Sequence, residues 1–422
     1  MNYPAPFSEK QNEFYWRCFD SWFNVAEGGK RGGKNVLITM AYCSILEKHP
    51  SKIHLIAGVS TSTARLNILD CDGYGMMNFF EGRCRLGQYQ NRDCLYVNTP
   101  TGEKIVLVSG GGKDRDERLI KGNTYGTAYI TEANECHPNF IQEVFDRTIS
   151  SPDRKVFHDL NPKNPEHWYY NILDFHEKQQ AVEPSYGYNY GHFTIADNMS
   201  ISDAQLRSVL KTYNKDSVWY KRDILGQRCI ADGLVYPMFR DSMVVDVIPW
   251  QALQRGTWYI SVDYGTINPT AAGLWCLWKG TAYRVSEYYY DSRKPGNHQK
   301  TDEEHYAALE DLAGDHKIEV VVVDPSAASF KATIRRHGRF QAWGADNSVL
   351  NGIRLTADLL QAGRILIHKD CKALISEIAS YRWDMEADCG EDAVVKENDH
   401  ACDDMRYFCA TIMEREVRGD GI

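Results

Sequence analysis

A glycine loop ending in lysine constrains this chain more than any other feature. Gly28–Lys34, GGKRGGK, fits the spacing G-x-x-x-x-G-K. Trp22–Glu27 reads as a short strand entering the loop. NVLITMAYCSILEKH reads as a helix, with Leu37, Ala41 and Ile45 at helical spacing and Pro50 as its stop. His54–Ser60 then reads as a second strand. Strand, glycine loop, helix and strand form the βαβ context that a phosphate-binding loop needs. In that context backbone N–H groups and the helix N-terminus surround phosphates, and Lys34 neutralises their outer oxygens. Asn35 stands where a magnesium-binding hydroxyl is customary.

A second signal lies downstream. GTAYITEANE, Gly126–Glu135, is an apolar strand whose end carries Glu132. Nucleotide hydrolases end such a strand in an acidic metal ligand followed by a glutamate that polarises water. Here Thr131 takes the ligand position, so both customary magnesium positions are altered. Asn35 offers an amide oxygen and Thr131 a hydroxyl, and either can hold magnesium directly or through water. Alone, the loop is a glycine-rich turn and Glu132 a solvated strand-end charge; the two at this spacing favour a nucleotide cradle.

With 422 residues the chain exceeds one ordinary core, which implies two domains. It holds no apolar run long enough to span a bilayer, and MNYPAPFSEKQ lacks a signal-peptide pattern. The 12 Cys include no C-x-x-C pair, which points to reduced, buried thiols. Most of the net charge of −9 lies beyond residue 250. That argues against a uniformly basic DNA coat and fits a metal-dependent enzyme meeting nucleic acid through local basic stripes.

The C-terminal half carries a set of acids. Asp263 ends the apolar stretch TWYISVD, and Asp324 ends IEVVVVD in the same way. A buried carboxylate is costly unless paired or metal-bound. Two strands delivering carboxylates at their C-terminal ends is how open α/β sheets build sites. KENDHACDDMRYF reads as a loop entering the last helix, with His400, Asp403 and Asp404 spaced to share one helical face. Carboxylates from two strands and a helix can hold two Mg2+ or Mn2+ ions that flank a phosphodiester. A lone strand-end Asp is usually a turn former; three in this order are harder to dismiss.

RLIKGNTYGTAYITEANE followed by FHDLNPKNPEHWYY resembles the ATPase half of tailed-bacteriophage terminase large subunits, and NDHACDDMRY resembles the family's ending D-H-x-x-D-x-x-R-Y. GYNYGHFTIADNMSISDAQ and YKRDILGQRCIADGLVYPMF resemble the family's linker. The resemblance implies an α/β chain: a P-loop (ASCE-type) ATPase domain over 1–190, a linker over 191–250 and an RNase H-like nuclease domain over 251–422. It implies that Gln11 contacts adenine, that Gly28, Gly32, Gly33, Lys34, Asn35 and Thr131 serve the nucleotide and its magnesium, and that Lys30 or Arg31 reaches the γ-phosphate. Arg115 or Arg118 is an alternative finger. Asn161, in the N-P pair, belongs to a motif coupling hydrolysis to movement. In the nuclease Asp263, Asp324 and Asp403 are the metal-binding acids and His400 a ligand or proton carrier. Asp404 falls where the family has a small residue, and Arg406 is a structural ion-pair partner.

The implied function is ATP-driven movement of double-stranded DNA into a procapsid with metal-dependent cutting of concatemers. The implied partners are DNA, a portal protein, a small terminase subunit and further copies of the chain in a ring. The implied setting is the host cytoplasm, transiently on the procapsid, without a membrane. Two rival readings fit parts of the pattern: an RNase H-like recombinase or resolvase whose N-terminal half does not hydrolyse ATP, and a DNA-binding scaffold with degenerate ATPase motifs.

Overall fold

The glycine loop, its helix and its strands form in the order that the spacing requires. The protein is seen here in a computed structural model, which describes residues 7–384 except 212, 214 and 216, together with 387 and 392–418. The chain divides into two compact units. The first holds residues 7–210 and 218–230; the second holds the described residues of 211–217 and 231–418. The stretch 191–250, expected as a linker, is shared between them. The first six residues of the N-terminal stretch read for a signal peptide lie outside the described residues. No described helix is long and apolar enough to cross a membrane.

The first unit is built on an eight-stranded sheet. Its strands are β1 (Phe23–Gly28), β2 (Ile53–Gly58), β3 (Cys84–Tyr89), β4 (Arg92–Thr99), β5 (Gly102–Gly110), β6 (Thr127–Ile130), β7 (Lys155–Leu160) and β8 (Tyr188–Phe193). The order is β3-β4-β5-β2-β6-β7-β1-β8. From β5 to β8 all neighbours run parallel, and β3 and β4 extend the sheet in antiparallel fashion. Alternate residues of the parallel strands feed two cores. Ala26, Ile56, Tyr129 and Phe157 face one, and Val25, Leu55, Ile130 and Val156 face the other. Burial on both faces explains why these strands read as apolar runs.

Helix α1 (Glu9–Asp20) is capped by Ser8, and Gln11 completes the capping box. Helix α2 (Lys34–Lys48) starts at the end of the loop and buries Leu37, Ile38, Ala41 and Ile45. The loop between β1 and α2 demands glycine. Gly28 has φ +148°, and a Cβ there would stand 1.7 Å from the Phe193 carbonyl oxygen of β8. β7 lies between β1, which enters the loop, and β6, which leads to Glu132. This interposed strand is the ASCE-type arrangement.

The second unit has a seven-stranded sheet. Its strands are β9 (Val244–Val245), β10 (Thr257–Asp263), β11 (Thr270–Trp278), β12 (Thr281–Tyr290), β13 (Ile318–Val323), β14 (Ala342–Gly344) and β15 (Ile365–His368). The order is β14-β13-β10-β11-β12-β15-β9. β10, β11 and β12 form an antiparallel meander, while β13 and β14 run parallel to β10. This is the RNase H-like topology. The helix His400–Phe408 lies on the meander, with the Phe408 ring stacked on Trp275 at a centroid distance of 4.4 Å.

A buried ion pair joins that helix to the sheet. Arg284 of β12 and Asp404 are both 0% exposed and form a bidentate pair, Nη1–Oδ1 2.8 Å and Nη2–Oδ2 2.9 Å. Ser261 of β10 donates to Asp404 Oδ1 at 2.6 Å, and Trp275 Nε1 donates to Ser261 at 2.8 Å. Gly273 makes room for the guanidinium, since a Cβ would sit 2.3 Å from Arg284 Nη1. The expectation that His400, Asp403 and Asp404 share one face is therefore corrected. Adjacent helical residues point about 100° apart, and Asp404 turns inward to neutralise Arg284 while its neighbour Asp403 lines a cavity. Breaking one half of such a pair strands the other charge. Asp404→Ala is expected to lower the stability of the second unit by about 3–5 kcal/mol, read from equilibrium urea unfolding; an unchanged midpoint would contradict the pairing.

Candidate functional site

Two cavities, one in each unit, gather most of the residues that the sequence singled out. The first has a volume of about 930 Å³ and is lined by Lys30, Arg31, Gly32, Gly33, Lys34, Asn35, Glu132 and Asn161, among others. At its base Lys34 is 5% exposed. Its ammonium donates to the carbonyls of Gly28 (2.8 Å) and Gly29 (2.7 Å) and to Asn161 Oδ1 (3.3 Å). Burial lowers the Lys34 pKa to about 8, against the pull of Asp159, Asp223, Glu27 and Glu132. The loop thus stores a cation at the helix N-terminus, hydrogen-bonded to neutral oxygens. A phosphate offers that cation a better partner.

The supports of the loop are specific. Gln11 is buried, and its amide donates to the Gly32 carbonyl at 3.0 Å while accepting from the Ser8 N–H at 3.1 Å. It braces the loop from behind. Lys30 N–H donates to the Asp223 carbonyl at 2.8 Å, and its ammonium lies 3.6 Å from the Asp223 carboxylate. Asn198 holds the Arg31 carbonyl at 2.8 Å. Glu27, 1% exposed, accepts a bidentate bond from Arg228 and another from the Tyr190 hydroxyl. Arg115 and Arg118 lie outside the cavity lining.

Glu132 enters the cavity from the end of β6 in a left-handed conformation, φ 50° and ψ 47°. Burial raises its pKa to about 7, reinforced by Asp159 and Glu135 and opposed by Lys34. Thr131 is fully buried behind it. Its hydroxyl donates to Asp159 Oδ1 at 3.3 Å and accepts from Asn67 at 3.2 Å. Asp159, at the end of β7, was missed from sequence. A signal was present in KVFHDLNP, an Asp one residue before the end of a strand.

The second cavity, of about 770 Å³, is lined by Asp263, Asp324, His400, Asp403, Lys396, Arg406, Tyr407 and Arg293, among others. Asp263 ends β10, Asp324 follows β13, and His400 and Asp403 come from the C-terminal helix. Register brings the first two together, since Val262 pairs with Val323 one residue earlier. His400 Nδ1 lies 2.9 Å from Asp263 Oδ2. Tyr407 donates to Asp324 Oδ2 at 3.3 Å. Asp403 accepts from Arg406 Nε at 3.1 Å and from Lys396 Nζ at 3.2 Å. Arg406 is the ion-pair partner expected of it, whereas Lys396 was missed.

Burial raises the Asp263 pKa; the His400 bond lowers it, and Asp403 and Asp324 raise it further. Burial disfavours a charged His400, yet Asp263 and the surrounding acids outweigh it and raise that pKa too. The two groups are in hydrogen-bond contact, so their titrations are coupled. Hard carboxylate oxygens from three elements around one cavity suit Mg2+ or Mn2+. The side chains share the space without closing on one point: among the described residues no group of three His, Cys, Asp or Glu is placed to hold an ion. Lys396 and Arg406 supply the positive charge beside Asp403 instead.

Residues 91–227 match the family profile described as phage terminase large subunit. The terminase large subunit of Escherichia phage T5 is 28% identical over 324 residues, which are 75% of this chain and 58% of that protein. The chain thus spans 58% of the length of this curated relative. The large terminase of a thermophilic bacteriophage, solved with ADP, is 32% identical with a TM-score of 0.84, covering 96% of this chain and 100% of that one. The same thermophilic-phage protein solved with ATP-gamma-S gives a TM-score of 0.83 at 32% identity, with coverage of 97% and 100%. Matched along its length to a solved large terminase at 32% identity, the chain belongs to the family of bacteriophage terminase large subunits.

Proposed function

We propose that this chain is a DNA-packaging motor and nuclease, with ATP hydrolysis in the first unit and divalent-metal-dependent cutting of duplex DNA in the second. The observation that carries the reading is Lys34, a buried ammonium held by two loop carbonyls at the floor of a cavity open to a ligand. The thermophilic-phage relative solved with ADP and with ATP-gamma-S supports the nucleotide assignment. In this reading Gly28, Gly32 and Gly33 let the backbone N–H groups approach the phosphates, and Lys34 exchanges its carbonyl partners for phosphate oxygens. Lys30 or Arg31 reaches the γ-phosphate. Asn35 and Thr131 are the candidate oxygen donors to the nucleotide's magnesium, Asn35 from the cavity wall. Gln11 steadies the loop that adenine would approach, Asn161 relays the state of Lys34 to β7, and Glu132 accepts a proton from the attacking water.

In the nuclease reading Asp263, Asp324 and Asp403 would hold one or two Mg2+ or Mn2+ ions. Such ions activate water and stabilise the leaving oxygen of a phosphodiester. His400, 2.9 Å from Asp263, is placed to carry a proton at the site. Lys396 and Arg406 pair with Asp403, and Arg293 at the cavity wall offers a contact to DNA phosphate. The proposed domains are a motor over 1–190 and a nuclease over 251–422. The proposed partners are double-stranded DNA, a portal on the procapsid, a small terminase subunit and other copies of the chain. The proposed setting is the host cytoplasm.

Lys34→Ala is expected to cut ATP turnover by at least about 100-fold in a phosphate-release assay; wild-type turnover in that variant would make the loop decorative. Replacing Asp263, Asp324 or Asp403 by Ala is expected to abolish nicking of supercoiled plasmid in Mn2+ while leaving nucleotide affinity within about threefold of wild type; undiminished nicking would remove the carboxylate site. Glu132 acts as carboxylate, so its raised pKa sets an acid limb. ATPase kcat/KM is expected to fall about tenfold per pH unit below about pH 7 and to level off above it. A profile that stays flat from about pH 5.5 to about pH 8 would exclude Glu132 as the base.

A further inference from the structure

The Asp159 carboxylate is enclosed and satisfied. It is 2% exposed. Its Oδ1 accepts from the backbone N–H of Glu132 at 3.0 Å and from the Thr131 hydroxyl at 3.3 Å, and its Oδ2 accepts from the Tyr129 hydroxyl at 2.8 Å. All three donors come from β6 or the turn that follows it. Asp159 itself sits on β7, directly between β6 and the strand that enters the glycine loop. It pairs with Ala26 of β1, and its neighbour His158 pairs with Ile130 of β6.

Burying a carboxylate costs several kcal/mol unless its hydrogen bonds and a countercharge offset that cost (order of magnitude). Two further features give the charge a purpose. Glu132 is one of few non-glycine residues at positive φ among those described, and the bond to its N–H holds that conformation. Thr131, next to it, occupies the position where this strand would carry its own acid. A carboxylate absent from the end of β6 is thus present one strand away at the same level of the sheet; burial raises its pKa, and the Glu132 N–H, the Tyr129 and Thr131 hydroxyls and Lys34 pull it back down.

We infer that Asp159 is a positioning residue of the hydrolytic site, replacing from β7 the carboxylate that Thr131 does not supply and fixing the backbone from which Glu132 reaches the water. It acts through Glu132 and Thr131 and does not touch the nucleotide. The inference rests on the ATP-hydrolysis reading above.

The test compares full-length wild type, D159A, D159N and the relocated-charge variant T131D/D159N in steady-state ATPase and nucleotide-binding assays. D159A is expected to lower kcat by at least about 30-fold while the KM and the affinity for ATP-gamma-S stay within about threefold, a split that loss of fold would not give. D159N keeps the shape and loses the charge. It is expected to lose at least about tenfold in kcat, and T131D/D159N to regain most of that loss. Rates near wild type in D159A and D159N overturn the inference, as does a loss of nucleotide affinity in step with turnover. Failure of the relocated acid to raise kcat above D159N overturns the claim of replacement. Lys34→Ala in parallel separates the two levels: if it turns over ATP like wild type, the hydrolysis reading itself fails.

Discussion

A lysine ammonium taken out of water at the end of a glycine loop is the constraint on which the first unit depends. Removing such a charge from solvent is costly, and Lys34 donates its hydrogen bonds to neutral oxygens: two carbonyls of its own loop and the amide of Asn161. The rest of the site follows from keeping that arrangement usable. The loop must be glycine-rich so that its carbonyls can fold back on the ammonium and its N–H groups can later face phosphate. It must also be braced, which Gln11 does from α1, Asn198 from beyond β8 and the 218–230 segment through Asp223. Acids at the neighbouring strand ends, Glu132 and Asp159, compensate the charge at longer range.

The second unit solves the same problem with a different division of labour. Two adjacent acids on one helix serve opposite ends. Asp404 goes inward and is consumed by Arg284, locking helix to sheet, while Asp403 goes outward into the cavity with Asp263 and Asp324. The locked pair gives the outward carboxylate a rigid base, reinforced further along the same helix where Phe408 stacks on Trp275. Rigidity of this kind is what a site needs if like charges are to stand close together before a cation arrives. Lys396 and Arg406 pair with Asp403.

Local patterns were legible in the sequence. Gly28–Lys34 could be placed because the loop, the preceding strand and the following helix are contiguous, and Asp263 and Asp324 because two apolar runs each lead into an Asp ahead of an acid-bearing helix. What depended on long-range geometry was not. Arg284 and Asp404 are 120 residues apart, and nothing in DHACDD tells the inward Asp from the outward one. The antiparallel extension β3-β4 carries half-exposed residues that blur its alternation. Asp159 differs: its place near a strand end is readable, but its partners Tyr129, Thr131 and Glu132 lie about 30 residues away, on the neighbouring strand and the turn that follows it.

The central claim is that Gly28–Lys34 forms a nucleotide cradle whose state is felt at the end of β6. Hydrogen–deuterium exchange of the full chain, with and without Mg2+ and ATP-gamma-S, measures this directly. Strong added protection over the backbone amides of residues 28–36, with a smaller gain over 130–134 on the other side of the cavity, is the expected result. Exchange in the loop unchanged at saturating nucleotide, or protection confined to other segments, would contradict the account.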